Sequence, residues 1–262
     1  MAPCQSTNLM NETSLPNPFL TGYFVCGHPT RKQSLELIVA AVNAGMDAVE
    51  IGIPSPNPYL DGEVIKQAHS QVLNDFHRDE DYLSFLIDLK EKITVPIWVM
   101  GYYQDLMKDD LYLTLAKSKL INGFVIPDLV INDAPALKQR LIHLNVELIP
   151  VINHGMSDKE LRLHIKNTNL LYCQLYKGKT GKAIQEFSKL PEFYQRVRSL
   201  TNAPLMGGFG IKNTQLAKQV YLSGYDGVVV GSKLVSLIKE GDKEDLVLFI
   251  QELASAKTRE VE

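Results

Sequence analysis

The stretch Val49-Glu50-Ile51-Gly52-Ile53-Pro54-Ser55-Pro56-Asn57-Pro58-Tyr59-Leu60-Asp61-Gly62 reads as a strand, a loop and the entry to a helix. Ala48, Val49 and Ile51 give the apolar run of a buried strand, and Pro54, Pro56 and Pro58 break it. Asp61 and Gly62 then precede an amphipathic pattern over 63–73. Glu50 is the lone carboxylate inside the apolar run, and an unpaired charge is expensive to bury. It either faces solvent on an edge or sits in a dry place where its pKa rises. Asp61, on a wetter loop, stays ionised. Two carboxyl groups in unlike surroundings can take different acid–base roles.

The same unit recurs outward in both directions. Apolar strand-like runs lie at 20–26, 48–51, 97–100, 123–126, 147–151, 170–174, 204–206 and 227–230. Between them lie helical patterns at 35–44, 63–73, 82–92, 111–120, 134–143, 158–166, 184–200, 214–223 and 244–256. Strand–helix alternation repeated eight times, without a linker or composition break, predicts an α/β fold, a single (β/α)8 TIM barrel. An open doubly wound sheet is the alternative, but it offers a glycine-rich turn after its first strand. Here that position holds Gly27-His28-Pro29-Thr30.

Composition narrows the function. A hydrophobic fraction of 45% and a charged fraction of 22% over 262 residues are those of a globular domain with a deep core. A net charge of -3 gives no general attraction to nucleic acid or to anionic membranes, so any anionic ligand must be caught by local geometry. Cys4, Cys26 and Cys173 share no metal-ligand spacing, and no metal site is expected. Cys26 and Cys173 lie in apolar runs and read as buried thiols of a reducing, cytoplasmic compartment. No run approaches the roughly 18 apolar residues of a membrane span. Residues 1–16 read as a flexible polar leader, and 17–258 as the barrel domain.

In such a barrel, functional groups gather on the loops after the strands. Glu50 and Asp61 follow the second run, Tyr102 the third, Asp128 the fourth, and Tyr172 belongs to the sixth. Gly207-Gly208-Phe209-Gly210-Ile211 follows the seventh run, and Gly231-Ser232 follows the eighth and opens into a helical pattern. Glycines let the backbone approach a ligand closely, and a helix N-terminus offers free N–H groups and a positive dipole end. These last two loops are where such barrels commonly hold a phosphate. With little basic charge nearby, amides rather than arginines are expected to hold it. The alternative is that these glycines only tighten barrel turns.

Taken together, these residues resemble the tryptophan synthase alpha subunit. The resemblance runs from about Phe19 to Ala256 and rests on Glu50-Ile51-Gly52-Ile53-Pro54, Pro58, Asp61-Gly62 and Met100-Gly101-Tyr102-Tyr103. It continues in Pro127-Asp128-Leu129, Tyr172, Gly178, Thr180-Gly181, Gly208-Phe209-Gly210-Ile211 and Gly231-Ser232. The resemblance implies retro-aldol cleavage of indole-3-glycerol phosphate into indole and glyceraldehyde 3-phosphate, with Glu50 and Asp61 as the catalytic pair. It implies that Phe24, Met100 and Tyr102 line the indole slot, although plain barrel packing explains each of them equally well. Tyr172 then lies beside the reacting centre, Phe209 is a further substrate-binding residue, and Thr180 lies on a closing loop. Gly181, Gly210, Gly231 and Ser232 hold the phosphate. It further implies no cofactor in this chain, and a beta subunit partner that carries pyridoxal phosphate, in an α2β2 assembly.

The chain departs from the family pattern at His28, at Ser55-Pro56-Asn57-Pro58, at Val130 and Asn132-Asp133, at Leu175 and at Lys179. Most of these lie in loops that close the site and meet the beta subunit. The expectation is retained catalysis with a stronger dependence on the partner. A non-catalytic alpha-like subunit that activates a beta partner is a second reading. A third is another phosphate-binding barrel, such as an indole-glycerol-phosphate synthase or a sugar-phosphate isomerase. A synthase of that kind wants a lysine at a strand end, and only Lys177 and Lys179, on a loop, come near one.

Overall fold

The computed structural model describes residues 15–175, 189–241 and 243–257. Most of the expected leader therefore lies outside the described residues, as do Lys177, Gly178, Lys179, Thr180 and Gly181. Among the described residues nine strands, β1 (Phe19–Val25), β2 (Ala48–Gly52), β3 (Ile97–Met100), β4 (Gly123–Val125), β5 (Glu147–Ile149), β6 (Val151–Asn153), β7 (Leu171–Gln174), β8 (Leu205–Gly208) and β9 (Gly227–Val230), form one parallel sheet. The order around it is β5-β4-β3-β2-β1-β9-β8-β7-β6. Its two ends, β5 and β6, are halves of one extended segment that is interrupted at Pro150, which has no N–H to give. The single strand expected at 147–151 is thus split, β5 pairing with β4 and β6 with β7. The sheet closes as an eight-segment barrel, the (β/α)8 architecture.

Among the described residues the α-helices are α1 (Arg31–Asn43), α2 (Glu63–Val72), α3 (Asp79–Lys90), α4 (Tyr103–Met107), α5 (Leu111–Lys117), α6 (Ala134–Ile142), α7 (Asp158–Ile165), α8 (Lys189–Arg198), α9 (Thr214–Leu222), α10 (Ser232–Glu240) and α11 (Lys243–Ser255). The start of the pattern expected at 184–200 lies outside the described residues. Several helices begin on side-chain caps at the loops: Thr30 accepts from Gln33 N, Asn213 from Leu216 N, and Ser157 forms a reciprocal pair with Glu160.

Two apolar layers follow from the period-two alternation of the strands. Phe19, Ala48, Trp98, Val125, Ile149, Leu170, Met206 and Val229 fill the barrel interior. Leu20, Phe24, Val49, Ile51, Val99, Phe124, Leu148, Val228 and Val230 point outward and pack with the helices. Strands buried on both faces read as continuous apolar runs, which is why the sequence shows runs rather than alternation. Register puts Tyr23 beside Glu50 and Glu50 beside Trp98, all on the inner face.

Candidate active site

Glu50 lies on β2 with its side chain inside the barrel, 0% exposed. Neither carboxyl oxygen has a hydrogen-bond partner among the described residues. Burial in this dry place pushes its pKa up to about 8. The solvent-facing edge position is ruled out, and Glu50 is a neutral acid at pH 7.

Asp61 arrives from the loop between β2 and α2. Tyr102, which caps α4, donates its phenol hydrogen to Asp61 Oδ2 at 2.7 Å and accepts the Leu60 N–H at 3.1 Å. Burial and the neighbouring Asp61 hold the Tyr102 phenol well above its ordinary pKa, so it remains a donor. Asp128 braces the same rim. It accepts from Tyr59 Oη at 3.0 Å and from the Tyr103 N–H at 2.8 Å, and the Tyr59 and Tyr102 rings lie 5.1 Å apart.

One cavity joins these groups. It is lined by Glu50, Asp61, Met100, Tyr102, Tyr172 and Phe209 together with Gly210, Ile211, Gly231 and Ser232. Tyr172 and Phe209 meet edge to face at 6.0 Å. Phe209 and Gly210 both have positive φ (73° and 90°), which turns the chain sharply after β8. Gly231 caps α10, whose first-turn N–H groups lack intrahelical partners.

Of the residues singled out from the sequence, the structure brings together Glu50, Asp61, Met100, Tyr102, Tyr172, Phe209, Gly210, Gly231 and Ser232. Thr180 and Gly181 lie outside the described residues. Phe24 is a correction. It is buried on the outward face of β1 in the layer beneath the helices, and the preceding residue, Tyr23, turns into the cavity instead. Tyr23 stands beside Glu50 in register, and odd-numbered residues of β1 share the inner face. The sequence reading missed Tyr23, Ile53, Ile65 and His69, all of which line the cavity. The inward parity of Glu50 marks Tyr23 only once the pairing register of β1 and β2 is known. Among the described residues, no group of three or more His, Cys, Asp or Glu side chains is placed to hold a metal ion.

The family model for the tryptophan synthase alpha chain matches residues 11–261. This chain belongs to the tryptophan synthase alpha chain family. The tryptophan synthase alpha chain of Petrotoga mobilis is 30% identical over 228 residues, covering 86% of this chain and 88% of that one. That of Synechococcus elongatus is 29% identical, covering 93% and 91%. A solved structure of Mycobacterium tuberculosis tryptophan synthase superposes with a TM-score of 0.82 at 25% identity, covering 92% of each chain. The Pyrococcus furiosus chain, from a structure of its tryptophan synthase α2β2 complex, has the same fold, with a TM-score of 0.81 at 23% identity over 92% of this chain and all of that one. No helix among the described residues is long and apolar enough to cross a membrane.

Proposed function

We propose that this chain is a carbon–carbon lyase that cleaves indole-3-glycerol phosphate to indole and D-glyceraldehyde 3-phosphate. The observation that carries the reading is one cavity that joins a neutral buried acid, a phenol-held carboxylate and a helix N-terminus. Glu50, protonated at neutral pH, gives its proton to the indole C3. Asp61 accepts the N1–H and stabilises the positive charge that spreads over the ring. The Glu50 carboxylate then takes the proton of the adjacent chain hydroxyl as the C–C bond breaks. The bonding pair returns to the indole, the hydroxyl carbon becomes the aldehyde, and Glu50 ends protonated. The Phe209–Gly210 turn, Gly231 and the start of α10 at Ser232 hold the phosphate together with Gly181, and Thr180 orients Asp61, Gly181 and Thr180 lying outside the described residues.

The chain itself needs no cofactor for these steps. A beta subunit carrying pyridoxal phosphate receives the indole in an α2β2 assembly, a reading supported by the family and by the Pyrococcus furiosus neighbour, which comes from a tryptophan synthase α2β2 complex. The buried free thiols of Cys26 and Cys173 suit the reducing cytoplasm. Single-turnover release of indole from indole-3-glycerol phosphate, with and without a beta subunit, tests the reading. Cleavage that the beta subunit accelerates supports it. No cleavage under either condition, with the chain still accelerating the beta reaction, replaces it with a non-catalytic activator.

A further inference from the structure

His69 on α2 accepts the Ser55 N–H at Nδ1, at 2.8 Å, so that nitrogen carries no hydrogen. Burial, with His28 nearby, holds the pKa of His69 down at about 4, and at neutral pH the ring is neutral. A neutral imidazole with a bare Nδ1 carries its proton on Nε2. Nε2 faces Tyr23 Oη at 3.2 Å, and His69 is therefore the donor and Tyr23 the acceptor. The phenol hydrogen of Tyr23 cannot point back at His69. Among the described residues that hydroxyl makes no other hydrogen bond, and burial keeps it from ionising. Its oxygen lies over Gly52, where a Cβ would collide with it. Glu50, Asp61, Tyr102 and Tyr172 are the charged and polar groups whose fields reach it.

We infer that Tyr23 is a specificity-determining residue of this site: its ring walls the cavity, and its hydroxyl, with the acceptor side filled by His69, donates to an oxygen of the ligand's polyol chain next to the reacting carbon. His69 acts through Tyr23, as a positioning residue that fixes which way the phenol hydrogen points. The inference deepens the lyase reading and rests on it, because only a ligand seated between Glu50 and Asp61 brings a chain hydroxyl to this donor.

The test is calorimetric binding in a Glu50→Gln background, which prevents turnover, with and without Tyr23→Phe. Two ligands are compared: indole-3-glycerol phosphate, and 3-(indol-3-yl)propyl phosphate, which keeps ring and phosphate but lacks the chain hydroxyls. The expected result is about three- to tenfold weaker binding of the hydroxylated ligand, the loss of one net hydrogen bond, with the deoxy ligand unchanged. Equal losses for both ligands make Tyr23 a wall only and overturn the inference, as does no loss for either. If the Glu50→Gln parent binds neither ligand, the lyase reading fails and the inference falls with it.

Discussion

Tyr102 donates to Asp61 at 2.7 Å while taking the N–H of Leu60, the residue just before that aspartate, at 3.1 Å. The phenol therefore clamps both the carboxylate and the backbone that carries it. Its acceptor side is filled by an amide, so its hydrogen is committed to Asp61, as the hydrogen of Tyr23 is committed away from His69.

Tyr102→Phe removes this clamp and leaves the Leu60 N–H without its partner. A hydrogen bond to a charged group is worth about 1.5–3 kcal/mol, so kcat/KM for indole-3-glycerol phosphate falls about ten- to hundredfold. Steady-state kinetics check this. An unchanged kcat/KM would mean that Asp61 is oriented by its other contacts.

Glu50→Gln keeps the shape and removes the proton. General acid–base groups contribute about a hundred- to ten-thousand-fold, and Glu50 serves both transfers, so the loss belongs in the upper part of that range with binding retained. Cleavage within a few-fold of the parent would make Glu50 structural. The wild-type rate should fall as pH rises through about 8, where the acid ionises. The stability sign follows from the same shift. Native Glu50 holds its proton up to about 8, whereas the unfolded chain releases it near 4.5, so stability declines as pH rises between those values. Thermal unfolding should show Glu50→Gln gaining on the parent at pH 8 and not at pH 4.

His28 and His69 act in the opposite sense on the acid side. Both are buried, and burial holds both pKa values down at about 4 from an ordinary 6.5. Neither ring nitrogen of His28 has a hydrogen-bond partner among the described residues. The unfolded chain takes up these protons first, so stability is lost as pH falls from 6.5 towards 4. His28→Asn/His69→Asn should flatten that slope in urea titrations across the window. A slope identical to that of the parent would show that other groups set the acid limit.

Gly231→Val tests the proposed phosphate site. The atoms nearest to a Cβ here belong to the Tyr23 side chain, at 3.5 Å and beyond, so a single methyl group fits and the branched side chain is what intrudes. Overpacking of this kind is worth about 1–3 kcal/mol, or about ten- to hundredfold weaker binding of glycerol 3-phosphate, with free indole unaffected. Equal losses for the two ligands in a calorimetric titration would indicate a folding defect instead.

The sequence alone determined the repeating unit and its order. Apolar runs broken by prolines and glycines and followed by amphipathic stretches carry local signals, and the strand ends that bear Glu50, Asp61, Tyr102 and Ser232 could be read from them. Which face each strand turns inward was not local. A strand buried on both sides shows no alternation, and Tyr23 and Phe24 look equally apolar until the β1–β2 register seats Tyr23 beside Glu50. The split at Pro150 likewise shows only where β5 and β6 find different neighbours. The dryness that raises the pKa of Glu50, and the Ser55–His69–Tyr23 chain that sets a hydrogen's direction, both come from groups distant in sequence. Desolvation and proton direction are properties of a packed neighbourhood, and only tertiary structure assembles one.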